Sequence, residues 1–325
     1  MAEKKERLNI VFMGTPEFAA HILRKVAAWQ GGFVSAVYTQ PDRPAGRGHK
    51  LMPSAVKVVA QELGLPVLQP VNFKSAEAQQ ALADLKPDIL AVAAYGLILP
   101  QAVLDSAALA PLNVHGSLLP KYRGAAPIQR AIMDGEPETG VCIMHMQAAL
   151  DAGAVYARAA LPTAGHTAGS MHDALAELGG ELLVNVLEQF SHGIPPCQPQ
   201  NESLATFAPK ITKAEGHIDW NRPCAVVDAH IRGVTPWPAA RVQCTLEGKE
   251  AFALTIAKGC VGLPKPTGAQ AGELWLVPQG LGIATADALY MLEQVRPADR
   301  KAMDARAFAN GYLQGCAQGL CGRVC

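Results

Sequence analysis

The sequence predicts an α/β protein: a Rossmann-like, doubly wound, mostly parallel sheet, followed by a small C-terminal β-barrel of OB-like form. Three observations predict it. Up to residue 192, short apolar runs alternate with helical patterns, as strands and crossover helices do. After residue 208 the runs are short, β-leaning and separated by Gly or Pro, which suits a small antiparallel barrel. Between them lies the Pro-rich passage HGIPPCQPQNES. The reading is therefore a domain over 1–192, a linker over 193–208 and a barrel domain over 209–325.

In order along the chain, LNIVFMG is a buried-strand run, and Thr15 is placed to cap a helix with Pro16 at its first position and Glu17 in its first turn. FVSAVYT is the second strand. After a long loop, Ser54 is placed to cap a helix that Gly64 closes, and PVLQP is a short third strand. DILAVAAYG and LNVH follow as strands, then a helix from about Ala126 to Met133, then the strand GVCIMHM. In the second half, ARVQCTL, FALTIAKG, GELWLV, LGIATAD and ALYMLEQV are the barrel strands. Ligands of doubly wound sheets sit beyond the carboxyl ends of the strands, which is where function is to be sought.

Composition bounds that function. The 325 residues, 50% hydrophobic and 17% charged, can bury a large core, and the formal net charge of +0 leaves any nucleic-acid binding to local patches. From residue 206 on there are 13 Lys and Arg against 10 Asp and Glu, leaving +3. No run of eighteen apolar residues occurs, and MAEKKERLNIVFMG passes from charge into a short apolar segment without a signal-peptide pattern, so a cytoplasmic protein with no membrane contact is expected; a monomer is expected as well. The eight cysteines show no paired CxxC spacing, and the tail with Cys316, Cys321 and Cys325 reads as solvated, since it lacks a fourth ligand or nearby His to hold a metal. FMGTPEF follows a strand and opens a helix but lacks both GxGxxG and GxxxxGK[ST], which disfavours a nicotinamide or nucleotide site.

The stretch PLNVHGSLLPKYRGAAPIQR is the candidate site. Side chains alternate along a strand, so Asn113 and His115 point the same way at the end of LNVH. An amide donor beside an imidazole suits acyl transfer, since both can stabilise a carbonyl oxygen as it becomes an oxyanion and the imidazole can move a proton. On these two residues alone, a turn-forming Asn and an ordinary half-buried His is the simpler reading. Asp151, in QAALDAGA just past GVCIMHM, could hold the imidazole or accept a proton, although a lone Asp before Ala-Gly is more often a turn residue. His145 and His166 are taken as structural.

NVHGSLLPKYRGAAPIQRAI resembles the central motif of the folate-dependent formyltransferases. VFMGTPEFA, TQPDRPAGRGHKLMPSAVK, AAYGLILP, ETGVCIMHM, IDWNRP and IRGVTPWP are similar to the same family in the same order, over about residues 7 to 300. Within the family the likeness is closest to members that formylate initiator methionyl-tRNA. The resemblance implies transfer of the formyl group of 10-formyltetrahydrofolate to the amino group of methionine on that tRNA, for translation initiation, with Asn113, His115 and Asp151 as the catalytic set and no metal. It places the folate at Tyr95, Gly96, Ser117, Leu118, Leu119 and Pro120, a site whose turns supply apolar walls and backbone donors. It assigns the basic loop, with Arg43, Arg47 and Lys50, to contact with the tRNA, and the +3 balance from residue 206 on suits a barrel that binds tRNA. Around Asp151 the family usually has Gly-Leu-Asp-Thr-Gly-Asp where this chain has Ala149-Leu150-Asp151-Ala152-Gly153-Ala154.

Other readings make different demands. A formyltransferase acting on a sugar nucleotide or purine precursor would share Asn113, His115 and Asp151 but fits GAAPIQ, the basic loop and the barrel less well. An NAD-dependent oxidoreductase would need the absent glycine fingerprint. A non-catalytic RNA-binding module would not need the Asn/His/Asp set.

Overall fold

The computed structural model describes residues 7–45, 50–246, 249–313 and 318–325. They form two compact units, the first of residues up to Pro127, Thr139–Leu161 and His172–Ala208, the second of Ile128–Glu138, Pro162–Met171 and the chain from Pro209.

The first unit is built on β1 (Leu8–Gly14), which is followed by α1 (Glu17–Ala28) and β2 (Gly32–Tyr38). A hairpin, β3 (Arg43–Ala45) and β4 (Lys50–Met52), precedes α2 (Ala55–Glu62), β5 (Val67–Leu68), α3 (Ala76–Ala83), β6 (Ile89–Ala93), α4 (Gln101–Leu104) and β7 (Ala110–His115). Then come β8 (Arg123–Gly124), α5 (Pro127–Met133), which lies in the second unit from Ile128, β9 (Glu138–His145) and β10 (Val155–Pro162). Of α6 (Ala168–His192), the residues from His172 on belong to the first unit, as does β11 (Phe207–Ala208).

The sheet runs β10-β9-β7-β6-β1-β2-β5. The pairs from β7 to β5 are parallel, while β9 runs antiparallel to β7. β1 is central and buried on both faces, so its sequence is a continuous apolar run rather than an alternation. Val11, Met13, Tyr38, Leu90 and Val92 pack with Leu82 of α3 and with Val103 and Leu104 of α4. Ile10 and Phe12 point the other way and are equally buried.

Two local expectations resolve differently. Ser54 caps α2, accepting from Lys57 N at 3.0 Å, and Gly64 follows its end at φ +66°. Thr15 caps nothing; its hydroxyl donates to Tyr95 O at 2.8 Å, and α1 starts without a side-chain cap. The tertiary acceptor wins because the end of β6 lies beside that of β1. The basic segment, read as a loop, contains an antiparallel hairpin in which Arg43 pairs with Met52 and Pro44 with Leu51. Residues 193–208, read as a linker, lie in the first unit, where Gln198 bridges Val155 and Phe207 pairs with Arg123.

In the second unit, α7 (Cys224–Gly233) precedes β12 (Ala240–Leu246), β13 (Phe252–Pro264), β14 (Glu273–Val277), β15 (Gly280–Ala284), β16 (Ala288–Pro297) and β17 (Met303–Asp304). α8 (Ala305–Tyr312) and β18 (Gly319–Val324) complete it. The strand order is β13-β12-β18-β14-β15-β16-β17, and β13 also pairs with β16, which closes the sheet into a barrel. β12 shows the one-sided pattern such a strand needs, with Ala240, Val242, Cys244 and Leu246 inward and Arg241, Gln243 and Thr245 outward. α7 and α8 contribute Val227, Ile231 and Phe308 to the same core.

The reading of the tail as solvated is overturned. GLCGRV is β18, hydrogen-bonded between β12 and β14, with Cys321 and Val324 buried. Gly and Cys are weak hydrophobic signals, and a register shift in its pairing with β14 breaks the alternation that would have marked a strand. Cys316 lies outside the described residues.

Candidate active site

β6 and β7 are parallel neighbours with Val92 opposite Asn113, and β9 sets Cys142 opposite His115. The alternation of β7 brings Asn113 and His115 to one side at its carboxyl end. Asn113 is half-buried, and its amide makes no hydrogen bond among the described residues, so it is available to an incoming carbonyl. His115 is 6% exposed.

The imidazole is held at Nε2. Nε2 lies 2.9 Å from Tyr122 O. A carbonyl can only accept, so Nε2 carries its proton and Nδ1 is the nitrogen that gains or loses one. Nδ1 lies 3.7 Å from Asp151 Oδ2, the carboxylate that would stabilise a protonated ring. Gly124 N donates to the same Oδ2 at 2.8 Å.

Backbone conformation makes this arrangement possible. Tyr122 and Asp151 sit at φ +61° and +47°, in the left-handed region that non-glycine residues enter at a cost. Both turn a functional group inward, the Tyr122 carbonyl and the Asp151 carboxylate. Gly124 sits at φ +122°, and a Cβ there would lie 2.9 Å from Ala208 O. A Cβ on Gly153 would lie 1.8 Å from His145 O, so the turn after Asp151 also admits only glycine there. Gly124→Ala is expected to destabilise the protein by roughly 1–3 kcal/mol and to lower kcat, because the N–H that fixes Asp151 must move. Thermal unfolding and turnover of the variant measure both effects.

The residues expected at a ligand divide by exposure. Tyr95 is 2% exposed and its ring packs near Phe73, while its carbonyl accepts from Thr15 and from Gln40 Nε2 at 2.9 Å. Burial raises the Tyr95 hydroxyl pKa above its ordinary value. Ser117 is fully buried, donating to Lys121 O at 2.7 Å to close its turn. Leu119 packs with Cys142, Met144 and Val155, and burial pushes the Cys142 thiol up to about 11. The Ser117 and Leu119 side chains back the turn. Gly96 is exposed, Leu118 and Pro120 are half-buried, and Ile98, two residues past Gly96, is 92% exposed. That surface combines apolar contact with backbone polar groups, which fits a flat, polar-edged ring.

Arg43 is tied to the same strand end, donating to Gln40 Oε1 at 2.5 Å while Gln40 donates to Tyr95 O. Lys57 Nζ, 2.7 Å from Asp42 Oδ2, anchors the base of the hairpin. Lys50 pairs with Ala45 through its backbone, and Arg47 lies outside the described residues. His145 lies beside the Asp151 turn, its N donating to Ala154 O, and burial lowers its pKa. Among the described residues no group of three or more His, Cys, Asp or Glu could hold a metal ion, and no helix is long and apolar enough to cross a membrane.

Sequence reasoning missed Tyr122, whose carbonyl sets the tautomer of His115, and Gly124, whose N–H holds Asp151. The glycine in YRGAAP was a visible signal for an unusual backbone. Nothing in the sequence marked a carbonyl.

Residues 8–187 match the family described as formyl transferase, and residues 210–313 match the formyl transferase C-terminal domain. A methionyl-tRNA formyltransferase of Desulfovibrio desulfuricans is 52% identical over 332 residues, covering 100% of this chain and 98% of that protein. One from Nitratidesulfovibrio vulgaris is 52% identical over 316 residues, 97% of this chain and 96% of its own. Among solved structures, HypX from Aquifex aeolicus in complex with tetrahydrofolic acid has a TM-score of 0.59 at 16% identity, covering 97% of this chain and 51% of that one. This chain thus spans about half the length of HypX, and the likeness is one of fold.

Proposed function

This chain belongs to the formyl transferase family, and on that premise we propose that it transfers the formyl group of 10-formyltetrahydrofolate to the amino group of methionine on initiator methionyl-tRNA, in the cytoplasm, for translation initiation. The single observation that carries this reading is its likeness, along the whole chain, to methionyl-tRNA formyltransferases. The geometry at the end of β7 supports the chemistry.

In this reading Asn113 donates to the formyl oxygen as the amine attacks, and His115 stabilises the same developing charge. Asp151 holds the His115 ring and stabilises the proton that arrives at Nδ1. A bond forms between the methionine nitrogen and the formyl carbon, the bond from that carbon to the folate nitrogen breaks, and the proton lost by the amine ends on the folate nitrogen. Gly96, Leu118 and Pro120, backed by Tyr95, Ser117 and Leu119, receive the folate. Residues from 209 on serve the tRNA as a separate domain. The assay is formyl transfer to initiator methionyl-tRNA with a sugar nucleotide and a purine precursor as competing acceptors; transfer to either competitor in preference would sink the reading.

The hairpin's role is separable from the chemistry. Arg43, with Arg47 and Lys50, is assigned to the acceptor arm. Arg43→Ala is expected to raise KM for methionyl-tRNA, to flatten the log–log salt slope of RNA binding by about one, and to leave folate affinity intact. Because Arg43 also touches Gln40, kcat falls too if the arginine positions the amine. Binding and turnover across a salt series decide it: an unchanged tRNA KM and slope beside weakened folate binding would move Arg43 into the donor site.

A further inference from the structure

The turn that carries Asp151 has no polar side chain of its own to brace it. Its neighbours are Ala149, Leu150, Ala152, Gly153 and Ala154, and Asp151 is held in the left-handed region. The bracing comes from a residue 49 positions away. Gln200 Nε2 donates to Asp151 O at 2.7 Å and to Gly153 O at 2.8 Å, spanning the turn.

The direction of that amide is itself fixed. Gln200 Oε1 accepts from Arg123 Nε at 3.1 Å and Nη2 at 2.8 Å, so the oxygen faces the guanidinium and the NH₂ faces the two carbonyls. The reversed amide would set donors against donors and an acceptor against two acceptors. Arg123, 4% exposed, is held in turn by both carboxylate oxygens of Glu202, at 2.9 and 2.7 Å. A buried guanidinium needs such pairing, and a two-pronged carboxylate supplies it with defined geometry. Arg123 also begins the strand whose next residue, Gly124, donates to the Asp151 carboxylate. β8 therefore grips Asp151 at its carboxylate through Gly124 N and at its backbone through Arg123 and Gln200.

We infer that Gln200, locked by the Arg123–Glu202 pair, is a positioning residue that aims the Asp151 carboxylate at His115 Nδ1 and so sets the rate of formyl transfer without touching either substrate. The inference rests on the catalytic reading of His115 and Asp151. It adds to that reading a residue from the segment expected to be a mere linker.

Two variants of the full chain separate the parts of the claim. Gln200→Met keeps the bulk and removes both polar ends. Gln200→Glu keeps an acceptor for Arg123 and replaces the donor to the carbonyls with a carboxylate oxygen, and it decides the result if Gln200→Met melts at lower temperature than wild type. Both are expected to lower kcat by between roughly tenfold and 10²-fold, the scale of a misplaced catalytic group, with KM for folate donor and for methionyl-tRNA unchanged. In an Asp151→Asn background, Gln200→Glu should cost nothing further, because its effect passes through that carboxylate. Wild-type turnover in Gln200→Glu beside an impaired Asp151→Asn overturns the inference and leaves the catalytic reading standing, as do a change confined to KM or losses that multiply in the double variant. Wild-type turnover in Asp151→Asn overturns the catalytic reading and the inference with it.

Discussion

Asn113→Ala and His115→Ala are each expected to lower kcat by roughly 10²-fold or more while the affinity for the folate donor changes little. The amide of Asn113 has no partner among the described residues, so its removal costs the folded protein little and should appear almost wholly in the transition state. His115 differs in that its Nε2 already bonds Tyr122 O, so His115→Ala also removes that hydrogen bond. A modest fall in Tm should accompany that variant and not the other. Rates at saturating donor and acceptor, with donor binding measured in parallel, distinguish lost chemistry from lost binding. Near-normal kcat in Asn113→Ala would remove the oxyanion role from the amide.

The contrast between what the sequence disclosed and what it hid follows from where each interaction lies. β1 was legible because a strand buried on both faces must be apolar throughout, and β12 because one buried face forces alternation. Asn113 and His115 were legible because period two puts both on one side of β7. The pairing of His115 with Asp151 could be proposed only from their strands being neighbours, since they lie 36 positions apart and no local pattern encodes the 3.7 Å approach. Thr15 was read as a cap because capping is the local use of such a residue, and the carbonyl of Tyr95, just past the end of the neighbouring β6, displaced it. β18 was missed because Gly319, Cys321 and Gly322 carry little hydrophobic signal, although a barrel closing around β12 and β14 has room for a strand there. Gln200 was hidden for a related reason: a Pro-rich composition marks a segment without regular structure but says nothing about what its side chains hold.

Asp151→Asn is the second large effect and the more discriminating one. Asn occupies the left-handed region at least as readily as Asp, and its side-chain oxygen can still accept from Gly124 N. If Asp151 only formed a turn, the substitution would be neutral in both Tm and kcat. The charge is what Asn lacks, and with it the stabilisation of a proton on His115 Nδ1. The expectation is therefore an unchanged Tm with kcat lower by about 10²-fold, the lower end of what a positioned acid–base group contributes. Asp151→Ala should lose Tm as well, since it removes the acceptor for Gly124 N and leaves a non-glycine residue at φ +47° without a side chain to hold it. Equal turnover in Asp151→Asn and wild type would return Asp151 to the role of a turn residue.

The most direct test of the account is a single-turnover measurement of formyl transfer from 10-formyltetrahydrofolate to initiator methionyl-tRNA, with enzyme in excess, for the wild type, His115→Ala, Asp151→Asn and the double variant. Groups that act as one unit lose their joint effect when either is removed. The double variant should therefore transfer formyl about as slowly as the slower single variant, with the wild type faster than both by roughly 10²-fold or more. A double variant slowed by the product of the two separate losses, or a wild type that leaves methionyl-tRNA unformylated, would contradict the account.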